Sequence, residues 1–239
     1  MCIIYSKDEI CKMDGVYAMF KTIGTKIAKL VIGLFICSIG IVMTINANLG
    51  MQPWDVLHQG LSNKLGITIG TATIIVAALT MIADFILGDN IGWGTVANMV
   101  LVGLFMDMII YSGYIPTANS FMSGLALLLG GLIILSFGMV LYMDSGLGSG
   151  PRDGLMVCLQ KKTGKSANVV KVTMDISALV IGILLGGKVG IGTIISAFGL
   201  GLAIKVVFKA CRFDGTKVEN RYIIDDIRYV KRVSEHFIK

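Results

Sequence analysis

The chain contains six apolar runs, each close to 20 residues long, separated by short polar stretches. About 20 consecutive apolar residues is the length that an α-helix needs to cross the hydrocarbon core of a bilayer. Inside that core every backbone N–H and C=O group must be bonded within the protein, and a continuous apolar run achieves this as a helix. The sequence therefore predicts an all-α, polytopic membrane helix bundle. Spans are expected at about residues 27–47, 68–87, 92–112, 121–144, 168–186 and 189–208.

Composition and charge agree with this class of protein. Hydrophobic residues make up 55% of the 239 residues and charged residues only 15%, whereas soluble domains carry about 25% charged residues. The net charge is +6, but 19 of the 21 Lys and Arg residues fall in three blocks, at 7–29, 152–171 and 205–239. Because Lys and Arg concentrate in cytoplasmic segments, we expect these blocks and both termini in the cytoplasm. Nucleic acid is not an expected partner.

A short motif, Leu-Gly-x-x-Pro-x-Asp, occurs at residues 49–55 and again at 147–153. At the same interval of 98 residues, 22 of the 78 residues from 30 to 107 are identical to their counterparts, without a gap. The aligned identities include Pro, Asp and Lys as well as Leu and Gly. We therefore infer an internal duplication.

The duplication predicts inverted topology. Each half holds three spans, an odd number, so the second half must enter the membrane from the opposite side. The expected organisation is a membrane repeat at 27–116 and another at 117–208, flanked by basic cytoplasmic tails at 1–26 and 209–239. The two motifs then lie at opposite faces of the bilayer.

Each motif leads into a short helix, predicted at 53–65 and 151–163, that is too short to span a bilayer. Proline suits the first turn of a helix, and the free N–H groups of a helix start attract anionic or polar groups. Either these helices re-enter the membrane around a central site, or they lie at its surfaces as capped amphipathic turns. With re-entrant helices, the candidate substrate-binding residues are Asn48, Gly50, Gln52, Pro53, Asp55, Gly148, Gly150, Pro151, Arg152 and Asp153.

Some polar residues have two interpretations. Arg152 is either a cytoplasmic topology charge or a ligand for an anionic group, while Trp54 and His58 are interpreted as interfacial residues. Acidic residues within apolar runs are costly and usually functional, so Asp107 in the third span is a candidate cation or proton site. Asp175 follows Lys171 by four residues, which predicts an ion pair within one helix.

Motifs of soluble enzymes and nucleotide-driven pumps are missing from the sequence. It contains no phosphate-binding loop, no dinucleotide fingerprint in a strand–turn–helix setting, no His/Glu metal pair and no nucleophile elbow. We therefore expect no enzyme activity, no cofactor and no bound metal.

Three segments resemble the YczE/YyaS/YitT family of small bacterial integral membrane proteins. They are the two motif segments, at 48–55 and 146–153, and the hinge from Gly88 to Gly94 with Thr95. The resemblance extends over about residues 27–208. It implies a bacterial plasma-membrane protein with about six spans, and it implies no particular substrate.

Two functional hypotheses follow. The leading one is a secondary transporter, or permease, for a small solute, with its site between the two inverted repeats. The alternative is a non-transporting membrane scaffold or regulatory protein that acts through a cytoplasmic partner, with residues 213–239 as the docking segment. The expected partners are the lipid bilayer and a small solute or ion, and association into a homo-oligomer is left open.

Overall fold

The computed structural model describes residues 7–88, 90–218, 220 and 222–224. These residues form eight α-helices and one short 3-10 helix, and they form no β-strand. The helices are α1 (Lys7–Asn46), α2 (Pro53–Leu65), α3 (Ile69–Leu87), α4 (Trp93–Ser112), α5 (Phe121–Asp144), α6 (Pro151–Thr163), α7 (Ala167–Leu184), α8 (Ile191–Ala210) and η1 (Gly215–Lys217). The all-α prediction is confirmed for the described residues.

Six of these helices are long and apolar enough to cross a membrane. The spans are Ile23–Asn46, Ile69–Leu87, Trp93–Ser112, Phe121–Asp144, Ala167–Leu184 and Ile191–Ala210. Each lies close to a predicted run, so the prediction of six spans is confirmed. The largest difference is that α1 begins at Lys7, well before the first apolar run. Lysine supports a helix almost as well as apolar residues do, so hydropathy marks the apolar boundary and not the helix start.

The outer surface of the bundle is apolar. Large side chains on the spans remain exposed, including Phe85 (72%), Leu184 (81%) and Phe198 (79%). In water, extensive apolar patches of this kind would mark an interaction site or an aggregation hazard. Against lipid tails they carry no such penalty, so the surface supports a multi-pass membrane protein.

Helix boundaries recur at the interval of 98 residues. The starts and ends of α2 and α6 differ by 98, as do those of α4 and α8, and α1 and α5 end 98 residues apart. Both short helices begin with proline, and both end at a glycine with φ of +67°, Gly66 and Gly164. That left-handed conformation favours glycine, which explains why the sequence repeats it there.

Helices of the two halves pack in reciprocal pairs. α1 packs against α5 at the centre of the bundle, with α4 beside α1 and α8 beside α5. The short helix α2 of the first half packs mainly on α7 of the second half, and α6 packs mainly on α3. The halves are thus intertwined, and each short helix is held chiefly by the other half.

The crossing of α1 and α5 depends on four glycines. Cβ atoms built on Gly40 and Gly138 would lie 2.5 and 2.6 Å from backbone nitrogens of the partner helix. Cβ atoms on Gly33 and Gly131 would lie 3.0 and 2.8 Å from the carbonyl oxygens of Gly138 and Gly40. Only glycine permits such a close approach, which is a common basis of helix association in membranes.

Contacts between distant segments group the span ends at two ends of the bundle. At the first, which we call the tail end, Lys29 Nζ lies 2.6 Å from Asp144 Oδ2. Nearer the C-terminus, the backbone N–H of Ile223 donates to Ile91 O at 3.0 Å. The start of the first span, the end of α5 and the loop before α4 are all expected at this end if consecutive spans alternate in direction.

The other end of the bundle joins the remaining loops. Asn46 Nδ2 donates to Ile115 O at 2.7 Å, and the backbone N–H of Lys188 donates to Gln59 Oε1 at 2.7 Å. The end of α1, the loop after α4 and the loop after α7 therefore share one end. Both sets of contacts fit six spans that cross in alternate directions.

Replacing Gly40 by alanine is expected to destabilise the folded protein by about 1–3 kcal/mol, the usual range for overpacking a tightly packed contact. The added methyl group would meet the backbone of α5. Thermal unfolding of the purified protein in detergent measures the change.

The matched control is Gly24→Ala in the same helix. Nothing lies within 4 Å of a Cβ built on Gly24, and alanine is favoured over glycine in a helix by about 0.5–1 kcal/mol. We expect this variant to unfold at the same temperature as the wild type or higher. Equal stability of the two variants would contradict a close crossing of α1 and α5.

Candidate functional site

The two Leu-Gly loops are held by the helix starts of opposite halves. Leu49 O accepts from the backbone N–H of Gly192 at 2.7 Å, and Leu147 O accepts from that of Gly94 at 2.7 Å. Gly50 has a φ of +111° and lies against Gly190, where a Cβ would come within 2.5 Å of the backbone nitrogen. These contacts explain why the glycines before α4 and α8 match at the interval of 98.

Beyond the loops, the first turns of α2 and α6 meet at a cavity of about 220 Å³. Residues from both halves line it. The polar lining residues are Gln52, Trp54, Asp55, Thr73, Asn98, Tyr142, Arg152, Asp153, Lys171, Asp175 and Ser196. Pro53, Gly150 and Pro151 line it as well, and aliphatic and Met side chains form the remaining wall.

Arg152 reaches from α6 across to α2. Its guanidinium carbon lies 4.8 Å from the centroid of the Trp54 ring, a cation–π contact. Its Nη2 lies 3.1 Å from His58 Nε2. Arg152 and Trp54, which occupy equivalent positions of the two motifs, therefore pack together in the cavity. Burial lowers the pKa of Arg152 from its ordinary value.

His58 is completely buried beneath Arg152. Arginine can only donate, so His58 Nε2 must accept and the ring proton must lie on Nδ1. Nδ1 is 3.2 Å from Thr73 Oγ1, which itself donates to Ile69 O, and 3.4 Å from Asp55 Oδ1. These contacts define a neutral imidazole, and burial lowers its pKa below the ordinary value. The interpretation of His58 as an interfacial residue was wrong, because the residues that cover it come from α3 and α6.

Asp153 follows Arg152 in the first turn of α6, and it faces Tyr142. The Tyr142 hydroxyl donates to Asp153 Oδ2 at 3.2 Å. Burial raises the pKa of the Asp153 carboxyl from its ordinary value. Among the described residues, no Lys, Arg or His nitrogen lies within 4.0 Å of this carboxylate.

Asp175, unlike Asp153, is paired with a cation. Lys171 Nζ donates to Asp175 Oδ2 at 2.6 Å, which confirms the predicted ion pair within α7. Trp54 Nε1 donates to Asp175 Oδ1 at 2.9 Å. Trp54 is thereby fixed by α7 on one side and by Arg152 on the other, so it is not a free interfacial anchor.

The structure brings most, but not all, of the sequence candidates to the cavity. Gln52, Pro53, Asp55, Gly150, Pro151, Arg152 and Asp153 line it. Asn48, Gly50 and Gly148 shape the loops, and Asn48 is an exposed residue with φ of +52°.

Asp107 does not line the cavity. Its Oδ1 accepts from the backbone N–H of Gly70 at 2.8 Å and its Oδ2 accepts from Thr68 Oγ1 at 2.5 Å. It therefore satisfies the start of α3, where a helix leaves N–H groups without intrahelical partners. Within the described part of the chain, no group of three or more His, Cys, Asp or Glu residues is placed to hold a metal ion.

Several cavity residues were not among the sequence candidates. They include Asn98 on α4, Tyr142 on α5, and Lys171 and Asp175 on α7. Asn98 and Ser196 occupy equivalent positions of the two repeats, both polar within apolar helices. That shared polarity at the interval of 98 is the signal that could have identified Asn98 and Ser196 as site residues.

Stability is expected to fall as the pH falls below about 6.5, the ordinary pKa of histidine. The folded state holds His58 neutral, so the unfolded state binds more protons in this range, and stability rises with pH wherever that is so. One proton contributes a slope of at most about 1.4 kcal/mol per pH unit. Thermal unfolding in detergent between pH 8 and pH 5 measures it.

The His58→Gln variant isolates this contribution, since glutamine can still accept from Arg152 but does not titrate. We expect it to be less stable than wild type at pH 8, with a shallower loss on acidification. The raised pKa of Asp153 acts in the opposite sense and is common to both proteins. Identical pH slopes for the two proteins would rule out a buried, neutral His58.

The chain is similar to bacterial proteins of the expected family. Residues 24–209 match the family described as "Family of unknown function (DUF6198)". The chain is 33% identical over 177 residues to the "Uncharacterized membrane protein YczE" of Bacillus subtilis, covering 72% of this chain and 80% of the relative. It is 34% identical over 188 residues to an uncharacterized protein of Haemophilus influenzae, with coverage of 79% and 84%.

A third relative is the "Uncharacterized protein YyaS" of Bacillus subtilis, 28% identical over 178 residues, with coverage of 73% and 88%. No solved structure matches the chain. The YczE and YyaS parts of the sequence resemblance are confirmed, whereas the YitT part stays a resemblance. On its match over residues 24–209, the chain belongs to the family of unknown function DUF6198.

Proposed function

We propose that this protein is a secondary transporter, or permease, for a small solute in the bacterial plasma membrane. The observation that carries the proposal is a cavity lined by equivalent residues of the two halves, including Asp55 with Asp153 and Pro53 with Pro151. Transporters built from repeats place their substrate site at the interface of the repeats, where interrupted helices begin. The first turns of α2 and α6 meet that description.

We further infer that α2 and α6 re-enter the membrane. Trp54, in the first turn of α2, donates to Asp175 in the middle of α7. In the last turn of α2, Asn63 Nδ2 donates to Gly186 O, beyond the end of α7, at 3.3 Å. α2 thus follows α7 from mid-span to its end. Irregular backbone at such depth is tolerated where it lines a cavity.

The inverted arrangement of the repeats supports alternating access. Each half contributes three of the six spans, and the short helices pack crosswise on the opposite half. Rocking of one repeat against the other would open the cavity first at one face of the bilayer and then at the other. With the Lys- and Arg-rich blocks in the cytoplasm, the tail end is the cytoplasmic end.

Alternating access predicts that one cavity position is reached by water from both sides of the membrane. We expect Ala77→Cys, in a cysteine-free background, to react with a membrane-impermeant thiol reagent in spheroplasts and also in inside-out vesicles. Ala77 lines the cavity on α3. The protein is purified after the labelling reaction is quenched, and mass spectrometry then measures the reaction from each side.

The matched control is Ala72→Cys, five residues earlier on α3. Ala72 is fully buried and does not line the cavity, so it should react from neither side. Labelling of the cysteine at position 77 from one side only, or from neither, would contradict a transporter. That result would favour the alternative, a non-transporting scaffold or regulatory protein with a cytoplasmic partner.

A further inference from the structure

The charged groups of the cavity are not all paired with one another. Asp175 is paired with Lys171 at 2.6 Å, and Asp55 lies 3.4 Å from the neutral His58. Within the described residues, no carboxylate oxygen lies within 4.0 Å of the Arg152 guanidinium. Asp153 likewise has no cation within that distance. One cation, Arg152, and two anions, Asp55 and Asp153, are therefore left without an ionic partner, and of the two anions only Asp55 is next to an imidazole.

A buried hydrogen-bond donor without an acceptor lines the same cavity as Arg152. Gln52 is only 9% exposed, and its Nε2 has no hydrogen-bond partner among the described residues. Gln52 also lines the cavity at the start of α2, where no side chain caps the helix. The start of α6 has no side-chain cap either. Arg152, Gln52 and the start of α2 together present donors that fit a carboxylate.

The anion has a different environment. Asp153 accepts from the Tyr142 hydroxyl at 3.2 Å and receives no other side-chain hydrogen bond from the described residues. A carboxylate that is removed from water without a cation is costly, and a ligand ammonium group would offset that cost. This side of the cavity thus fits a positively charged group.

The rest of the wall is apolar and leaves little room. Its aliphatic and thioether side chains include Ile41, Val102, Leu135, Met139, Leu200 and Ile204. The volume of about 220 Å³ is below the roughly 300–1,000 Å³ of pockets that hold drug-sized ligands. The ligand must be small, with an apolar portion beside its charged groups.

We propose that the cavity binds a small zwitterion, an α-amino acid with an apolar side chain. Its carboxylate lies at Arg152, Gln52 and the start of α2, its ammonium group lies at Asp153, and its side chain contacts the apolar wall. The ligand brings one charge of each sign, so it compensates Arg152 and Asp153 without changing the net charge of the cavity, while Asp55 stays beside His58. This inference rests on the proposed transport site, but binding tests it separately from transport.

Three compounds that share the isobutyl side chain of leucine test it. Isothermal titration of the purified full-length protein in detergent compares L-leucine with 4-methylpentanoate, which lacks the ammonium group, and with 3-methylbutylamine, which lacks the carboxylate. We expect leucine to bind at least tenfold more tightly than either analogue. Equal binding of the amine would indicate a cation site, equal binding of the acid an anion site, and no binding of leucine would exclude an apolar amino acid. Each of these three results overturns the proposal.

Two variants assign the ends of the ligand. Arg152→Gln should remove the advantage of leucine over the amine, and Asp153→Asn should remove its advantage over the acid. If Arg152→Gln does not fold, Arg152→Lys, which keeps the charge, replaces it in the titration. Lys162→Gln, on the exposed end of α6, should bind as wild type. Unchanged selectivity in both cavity variants would overturn the proposed orientation. Leucine binding without two-sided labelling of position 77 would retain the ligand and reject transport.

Discussion

The frame of the molecule depends on the close approach of α1 and α5. In hydrocarbon, apolar side chains gain little by leaving lipid tails, so helices associate through close van der Waals contact. Gly33, Gly40, Gly131 and Gly138 provide that contact in two equivalent pairs. Because α4 packs beside α1 and α8 beside α5, this crossing also fixes where the last span of each half begins.

Those span starts in turn hold the two Leu-Gly loops. A chain that breaks its helix within a membrane leaves polar backbone groups that lipid cannot satisfy. Gly94 and Gly192 donate to one carbonyl in each loop, Leu147 O and Leu49 O. From these anchored points the chain turns directly into α2 and α6. The positions of Asp55 and Asp153 therefore follow from glycine contacts far from them in the sequence.

Sequence reasoning predicted the features that local pattern encodes. Six apolar runs predicted six spans, and proline with glycine at matched positions predicted two short helices that begin at Pro53 and Pro151. It did not predict the contact of His58 with Arg152, because that contact depends on the meeting of α2 and α6 from opposite halves. Asp107 is a different case. It accepts from the start of the neighbouring helix, away from the cavity, and its role as a cation or proton site stays a prediction.

The two copies of the motif segment are not chemically identical. The frame repeats, but Arg152 stands where the first half has Trp54, Gly150 where it has Gln52, and Met156 where it has His58. Two identical halves would offer the same groups to both ends of a ligand and could not orient one with unlike charges. In the proposed inverted arrangement, the shared frame makes the two facing states similar in energy, so modest differential binding can shift their populations. The substituted positions give the two halves different groups at the cavity, while the glycines at the crossing of α1 and α5 are the same in both.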